Sequence, residues 1–466
     1  MQIPIVQAAP LVKVHGEAFR DLFENRPQFE HFENYVTGLM VLDNKTLTNM
    51  ARCMVDSADK TNWSRFLSEA PWAEQAINGR RIGYLLEQTQ KLRRSGAESV
   101  LVIDDTLCEH VGSLFEYIDQ HYDHGEDRYP LAHNPVTSFY VSGVVRFPVD
   151  LRLYRRYEEV TDWQSFVKAH FPERTIPAQK KERAALHKAV DETLLQDPAF
   201  HALHEQFRTK IALAIELIEQ AQKHQLPFEI VVFDSWYLAE ELVSVLKTTH
   251  KDWISLLKKN RTLETNSFVL KDADGKPSAF PKPPVQVQEL VPLIPANAYR
   301  PVMVNDTTYW CFTLTVRLPT LGKVRLVVSF DNPDLKGTSA LLVTNRLDWT
   351  VQRILKTYLQ RWPIETFYQD SKTCLGLHTY RMRSAEAIGK HWCLVFVAYS
   401  FLHLDCLAVS LKQSPLPVKT IGQACRDQAH KLLEALIMFA FDKMQQGQTA
   451  AAVLATLFAK QRLAVT

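Results

Sequence analysis

Apolar positions recur at spacings of three and four through residues 29–42, 47–55 and 72–92, with polar turns between them. This period predicts a helical segment over residues 1–95. At Glu98 the pattern changes. The run SVLVIDDT is continuously apolar until it meets two acids, as in a strand buried on both faces, and it brings Asp104 and Asp105 to the strand's C-terminal end. Extended segments at 134–145 and 149–157 follow, with Arg146, Phe147 and Pro148 as the expected tight connection, so the three strands read as an antiparallel meander. Residues 180–225 return to a helical period, broken at Pro198. PFEIVVFDSWYL then repeats the pattern of a strand ending in an acid, at Asp234, before a helix over 239–248 and a strand over 253–258.

From about residue 261 to 342, prolines punctuate the chain (Pro277, Pro281, Pro283, Pro284, Pro292, Pro295 and Pro301) ahead of two alternating runs, TTYWCFTLTVRL and KVRLVVSF, joined across Gly322. This is expected to be a β-rich insertion. A strand SALLVTN and a helix entered at Trp349 come next, and the remainder is apolar-periodic helix with a break at Pro415 and Pro417. The pattern divides the chain into a helical N-terminal domain (1–95), an α/β core in two parts (96–260 and 343–400), the insertion (261–342) and a helical C-terminal region (401–466). Residues 392–411 have nearly the length of a membrane span, but His403 and Asp405 within them favour a buried core helix.

Composition adds bounds. With 466 residues, 46% hydrophobic and 23% charged, the chain is neither disordered nor a coiled coil, and a net charge of +2 neither requires nor excludes nucleic acid. Local charge says more: Arg80, Arg81, Lys91, Arg93 and Arg94 face the single acid Glu87 across NGRRIGYLLEQTQKLRRSG, a cluster able to grip phosphates, and Lys258, Lys259 and Arg261, just after the strand over 253–258, form a second basic group that could line a nucleic-acid channel. A solvated surface explains either group equally well. Seven scattered cysteines with no CxxC pair, and a start with no secretory signal, point to a reducing cytoplasm.

Two strands ending in Asp and a later helix bearing Glu can bring three carboxylates from distant segments to divalent cations, which take oxygen ligands and in pairs serve in-line phosphoryl transfer. Within TYLQRWPIETFYQDSK, the residues Tyr358, Arg361, Glu365 and Lys372 stand at i, i+3, i+7 and i+14. At about 100° per residue they fall within about 60° of one another on a helix. An acid for metal beside a guanidinium and an ammonium for phosphate is the mix a nuclease needs. Pro363 is expected to kink this helix or to start a new one. Rival readings are weaker: Asp119, His121, Asp123 and His124 lie in a polar connection, Cys374 with His378 and His391 with Cys393 lack a second ligand pair, and a glycosidase acid pair would leave Arg361 and Lys372 unused.

These residues resemble bacterial insertion-sequence transposases of the DDE type, in the subgroup with the signature Y-x2-R-x3-E-x6-K, which Tyr358, Arg361, Glu365 and Lys372 match at every spacing. IDDT, VVFDSWY and the β-rich insertion before the Glu agree, and so does the N-terminal NWSRFL segment. The resemblance implies an α/β fold: an RNase H-like core with a mixed five-stranded sheet, interrupted by the insertion and flanked by helical N-terminal (DNA-binding) and C-terminal domains. It implies Asp105, Asp234 and Glu365 as catalytic metal ligands, with Asp104 a neighbour able to assist, and two Mg²⁺ ions replaceable by Mn²⁺. Tyr358, Arg361 and Lys372 would bind phosphates, and Trp310, the one Trp of the insertion, would stack a flipped base ahead of Trp253 or Trp349. The implied activity is cut-and-paste transposition by nicking, a hairpin intermediate and strand transfer. Its partners are terminal inverted repeats and target duplex DNA, bound by a homodimer at the nucleoid with no membrane. The rival is a domesticated DNA-binding protein that keeps the fold without transposing.

Overall fold

The computed structural model describes residues 3–55, 60–93, 98–123, 125–264, 268–271, 274–276, 285–411 and 419–462. Arg94, His124, Pro277, Pro281, Pro283, Pro284, Pro415 and Pro417, named above, lie outside these residues. The strands are β1 (Ser99–Asp105), β2 (Cys108–Glu109), β3 (Asp119–Gln120), β4 (Leu131–Ser142), β5 (Val145–Tyr154), β6 (Ile230–Phe233), β7 (Asp252–Leu256), β8 (Thr262–Leu263), β9 (Val285–Gln286), β10 (Arg300–Val304), β11 (Thr307–Leu318), β12 (Gly322–Phe330) and β13 (Ala340–Thr344).

The order β5-β4-β1-β6-β7 forms the heart of the sheet. In it β1 and β4 run antiparallel, as do β4 and β5, while β1, β6 and β7 are parallel. Helices cover both faces, so the central strands read as unbroken apolar runs. This is an α/β fold with the mixed five-stranded sheet of an RNase H-like core plus helical regions. Beyond β7 the sheet continues antiparallel through β13, β12, β11 and β10, so the strands of the 261–342 segment extend the core sheet. β8 and β9 form a separate two-stranded ribbon.

The meander turns elsewhere than expected. Ser142 pairs with Val145, which leaves Gly143 and Val144 as a two-residue loop, and Gly143 takes a φ of 61° that such a hairpin needs and a glycine adopts freely. Arg146, Phe147 and Pro148 therefore belong to β5. Pro148 is tolerated because β5 is an edge strand and the register shifts beside its partner Phe139.

On one face Val100 and Val102 of β1 and Ile230 and Val232 of β6 join a core that also takes in Phe19, Phe32 and Trp63 from the N-terminal helices, Phe367, and much of helix Ala385–Leu411. The helices of residues 1–95 thus share one continuous core with the C-terminal half of the chain. On the other face Leu101 and Ile103 meet Leu213 and Leu217 of helix Lys210–Lys223 and Leu242 of helix Glu240–Thr248. Helix Ala385–Leu411 is the one described helix long and apolar enough to cross a membrane, yet 83% of its most apolar window is buried inside the protein. His403 accepts the Arg146 backbone N–H at 3.0 Å and Asp405 pairs with Lys419, which satisfies its polar groups in the core.

Candidate active site

Successive side chains of a strand point to opposite faces, so the two acids ending β1 part company. Asp104 follows Val100 and Val102 toward the face covered by residues 351–375, while Asp105 follows Leu101 and Ile103 to the other. There Asp105 accepts hydrogen bonds from Lys210 Nζ (2.7 Å), Tyr237 Oη (2.7 Å) and Asn134 Nδ2 (2.9 Å). β6 is in register with β1 through Ile103 and Phe233, so Asp234 leaves its strand beside Asp104. Its Oδ1 accepts the Trp236 backbone N–H at 2.9 Å.

The third acid arrives from above. Thr350 caps helix Val351–Tyr358, a 3₁₀ turn at Leu359–Arg361 packs over β1 and β6, and helix Trp362–Asp370 and a π-turn at Ser371–Leu375 follow. Pro363 sits in the first turn of its helix, where a missing N–H costs nothing, and Arg361 and Trp362 keep right-handed helical dihedrals, so the run is tightened without a break. Arg361 consequently bridges two acids: one guanidinium nitrogen binds Asp104 and the other reaches Glu365 Oε1 at 3.0 Å. Lys372 Nζ donates to Thr106 Oγ1 at 2.7 Å, which ties the far end of the helical run to the residue after Asp105. Tyr358 is packed beside Arg361, its hydroxyl pushed up to about 12 by burial.

Electrostatics separates the acids as geometry does. Burial, reinforced by Asp105, Glu365 and Asp234 and opposed by Arg361, pushes Asp104 up to about 8. Burial and the charge of Asp105 also raise Asp234. Burial would raise Asp105 too, but Lys210, Tyr237 and Asn134 outweigh it and hold this carboxyl below its ordinary value. A cluster of acids sharing too little positive charge is a marker of function.

The remaining expected contacts divide sharply. Arg81 is fully buried and donates to Asn78 Oδ1, to the carbonyls of Pro148 (2.8 Å) and Val149 (2.8 Å) and to Ser400 Oγ (3.1 Å). It braces the core and cannot reach DNA. Arg80 pairs with both carboxylate oxygens of Asp21 at 2.8 Å. Arg93 bonds Thr89 Oγ1 at 3.2 Å, a contact within its own helical turn. Lys258 and Lys259 are exposed. Trp310 is half-buried opposite Phe330 in β11, and Trp253 and Trp349 are buried.

Two tryptophans beside the acids are open: Trp236, 52% exposed, and Trp362, 66% exposed. The ammonium groups of Lys210 and Lys258 lie 5.8 and 4.8 Å from the Trp236 ring centre. Trp236 stands two residues after Asp234 and Trp362 three before Glu365, a proximity already visible in FDSWY and RWPIE. Lys210 left no such signal.

At the rival metal positions, Asp119 pairs with Arg156 and Asp123 caps the Gly125 N–H, and His391 is spent on Tyr35 and the Gly376 carbonyl. Among the described residues, no three His, Cys, Asp or Glu side chains surround a common point as metal ligands. At the acid cluster Arg361 pairs with both Asp104 and Glu365. The donor set is all carboxylate oxygen, which suits Mg²⁺ or Mn²⁺, and an acid held near 8 is one that a divalent cation would bring down.

The family model of the DDE superfamily endonucleases matches residues 18–308, which take in β1 with Asp104 and Asp105 and β6 with Asp234. The chain belongs to this family. No curated protein matches it in sequence. Membership makes this DDE endonuclease a transposase-like nuclease whose substrate is DNA, in a superfamily that generally uses divalent metals. The match ends before the helix of Glu365, so the third acid of this endonuclease rests on geometry.

Proposed function

We propose that this endonuclease is a cut-and-paste transposase of the Y-R-E-K subgroup, acting on the terminal inverted repeats of an insertion sequence as a DNA-bound homodimer. The observation that carries the reading is the meeting of Asp104, Asp234 and Glu365 on one face of the sheet with Arg361 among them. Asp104 replaces Asp105 as the first ligand in this reading. It faces Glu365, whereas Asp105 is committed to Lys210, Tyr237 and Asn134, and holds the lysine and the tyrosine in place.

Mg²⁺ or Mn²⁺ held by these carboxylates would supply Lewis acidity to the attacking and leaving oxygens of a phosphodiester. The chain's own groups do the positioning. Arg361 offers a planar, two-pronged grip on a phosphate and Lys372 a point charge beside it, with Tyr358 backing the guanidinium. Trp236 and Trp362, in place of Trp310, offer ring faces on which an unpaired base can stack during a hairpin step. Nicking, hairpin formation and strand transfer are all phosphoryl transfers, so one site serves each in turn.

The test is cleavage of a labelled duplex carrying the inverted repeats that flank the coding sequence, with Mg²⁺ or Mn²⁺, by the wild type and Glu365→Gln. Nicks and hairpins at the repeat boundary that vanish in the variant are expected. Specific binding with no cleavage by either protein would replace this reading with that of a DNA-binding protein.

A further inference from the structure

We propose that Arg361 is a latch: it holds the acid cluster closed against cations until a DNA phosphate takes its guanidinium, so that metal and DNA each tighten the binding of the other. The inference rests on the metal-and-DNA reading above and adds its regulation.

The guanidinium spends two of its nitrogens on two of the three acids, Asp104 and Glu365 at once. Its side chain is 15% exposed, and the 3₁₀ turn that carries it packs on β1 and β6, so it is part of the floor of the site. A divalent cation drawn to these carboxylates meets a fixed positive charge already within ion-pair distance. Nor are neighbouring cations free to take its place, because Lys210 is engaged with Asp105 and Lys372 with Thr106.

A phosphodiester offers the guanidinium what a carboxylate does, two oxygens spaced for its fork. Transfer to phosphate strips Asp104 and Glu365 of their partner. Asp104 is buried while Glu365 beside it is 45% exposed; with the guanidinium gone the Asp104 carboxylate is costly to ionise, and a divalent cation removes that cost. Phosphate and cation therefore enter favourably together and unfavourably alone, and linkage makes the coupling equal in both directions.

The test uses the intact protein and Mn²⁺, with free ion followed by electron paramagnetic resonance, with and without a short duplex. The same duplex with Glu365→Gln serves as the reference for Mn²⁺ taken up by DNA. The wild type is expected to bind Mn²⁺ on the order of tenfold more tightly with duplex than without, within the usual range of coupling between sites. Arg361→Gln without DNA is expected to match the DNA-bound wild type and to gain little from duplex. Arg361→Lys, which keeps the charge and loses the fork, is expected to fall between the two. Equal Mn²⁺ affinity of wild type and Arg361→Gln without DNA, with binding still lost in Glu365→Gln, would overturn the latch and leave the metal site standing. Mn²⁺ uptake that Glu365→Gln does not change in any state would overturn both.

Discussion

Replacing Arg81 with Met separates a structural arginine from a DNA-binding one. The guanidinium serves four acceptors. Two survive its loss: the Val149 carbonyl still accepts from Asn78 Nδ2 at 3.0 Å, and the Ser400 hydroxyl still donates to the Phe396 carbonyl at 2.7 Å. The Pro148 carbonyl and Asn78 Oδ1 are stranded. At about 1–3 kcal/mol for each buried group left unpaired, the gross cost is roughly 2–6 kcal/mol. Some of it is returned, because burial penalises the charge and pulls Arg81 down to about 10, and because methionine keeps an apolar contact with Phe396, over whose ring the guanidinium lies. The net expectation is a loss of about 2–4 kcal/mol. In urea unfolding the midpoint should fall with no change of slope. Duplex binding by the folded variant, measured by fluorescence anisotropy across a salt series, should equal that of the wild type. A variant within about 0.5 kcal/mol of wild type in stability, with weaker binding and a shallower salt dependence, would return Arg81 to the DNA surface.

Other expectations follow from the same structure. Because Asp104 is held near 8 in the folded protein, well above an ordinary Asp, the metal-free fold keeps a proton there that the unfolded chain gives up near 4. Stability should therefore fall as pH rises through that window, by at most about 1.4 kcal/mol per unit. Asp104→Asn should raise the melting temperature more at pH 8 than at pH 5; parallel profiles of the two proteins would contradict this. Trp236→Ala should weaken binding of a duplex with an unpaired base near the cut by roughly 1–3 kcal/mol, while Trp310→Ala should alter stability more than binding; the reverse order in anisotropy would return the stacking role to Trp310. Gly376, at φ 76°, ends the helical run of Glu365 and Lys372, and an added Cβ would lie 2.7 Å from Lys45 Cδ. Gly376→Ala should cost about 1–2 kcal/mol from the left-handed backbone alone, and more from the clash; an unchanged urea midpoint would show that the turn can relax.

Much of this was legible in the sequence. VLVID and IVVFD announce buried strands because both faces of a parallel sheet are covered, and the spacing of Tyr358, Arg361, Glu365 and Lys372 survives a 3₁₀ turn and a π-turn because the dihedrals between them stay helical. What stayed hidden depends on direction. Two adjacent acids at the end of a strand face opposite ways, and only the packing of a helix 257 residues later decides that Asp104 is the one turned toward Glu365. Charge counted without phase misplaces Arg81 on the surface. Ile77, Arg81 and Leu85 stand at i, i+4 and i+8, all buried, and that spacing already placed Arg81 inward. At the hairpin, Pro148 drew the turn toward itself although Gly143 was the residue able to make it. Lys210 could not be found from sequence, since its partner Asp105 lies 105 residues away with no periodicity to link them.

Strand cleavage by Asp104→Asn and Asp105→Asn, measured side by side with the wild type on the repeat-bearing duplex, with Mn²⁺ as the cation and folding checked for each protein, decides which acid of β1 is the first ligand. Cleavage should be abolished in Asp104→Asn, as in Glu365→Gln, and reduced but present in Asp105→Asn, whose one amide oxygen can still accept from Lys210 while its NH2 group donates to the Tyr237 hydroxyl oxygen. Full cleavage by Asp104→Asn with none by Asp105→Asn would contradict this and put the first catalytic acid on the other face of the sheet.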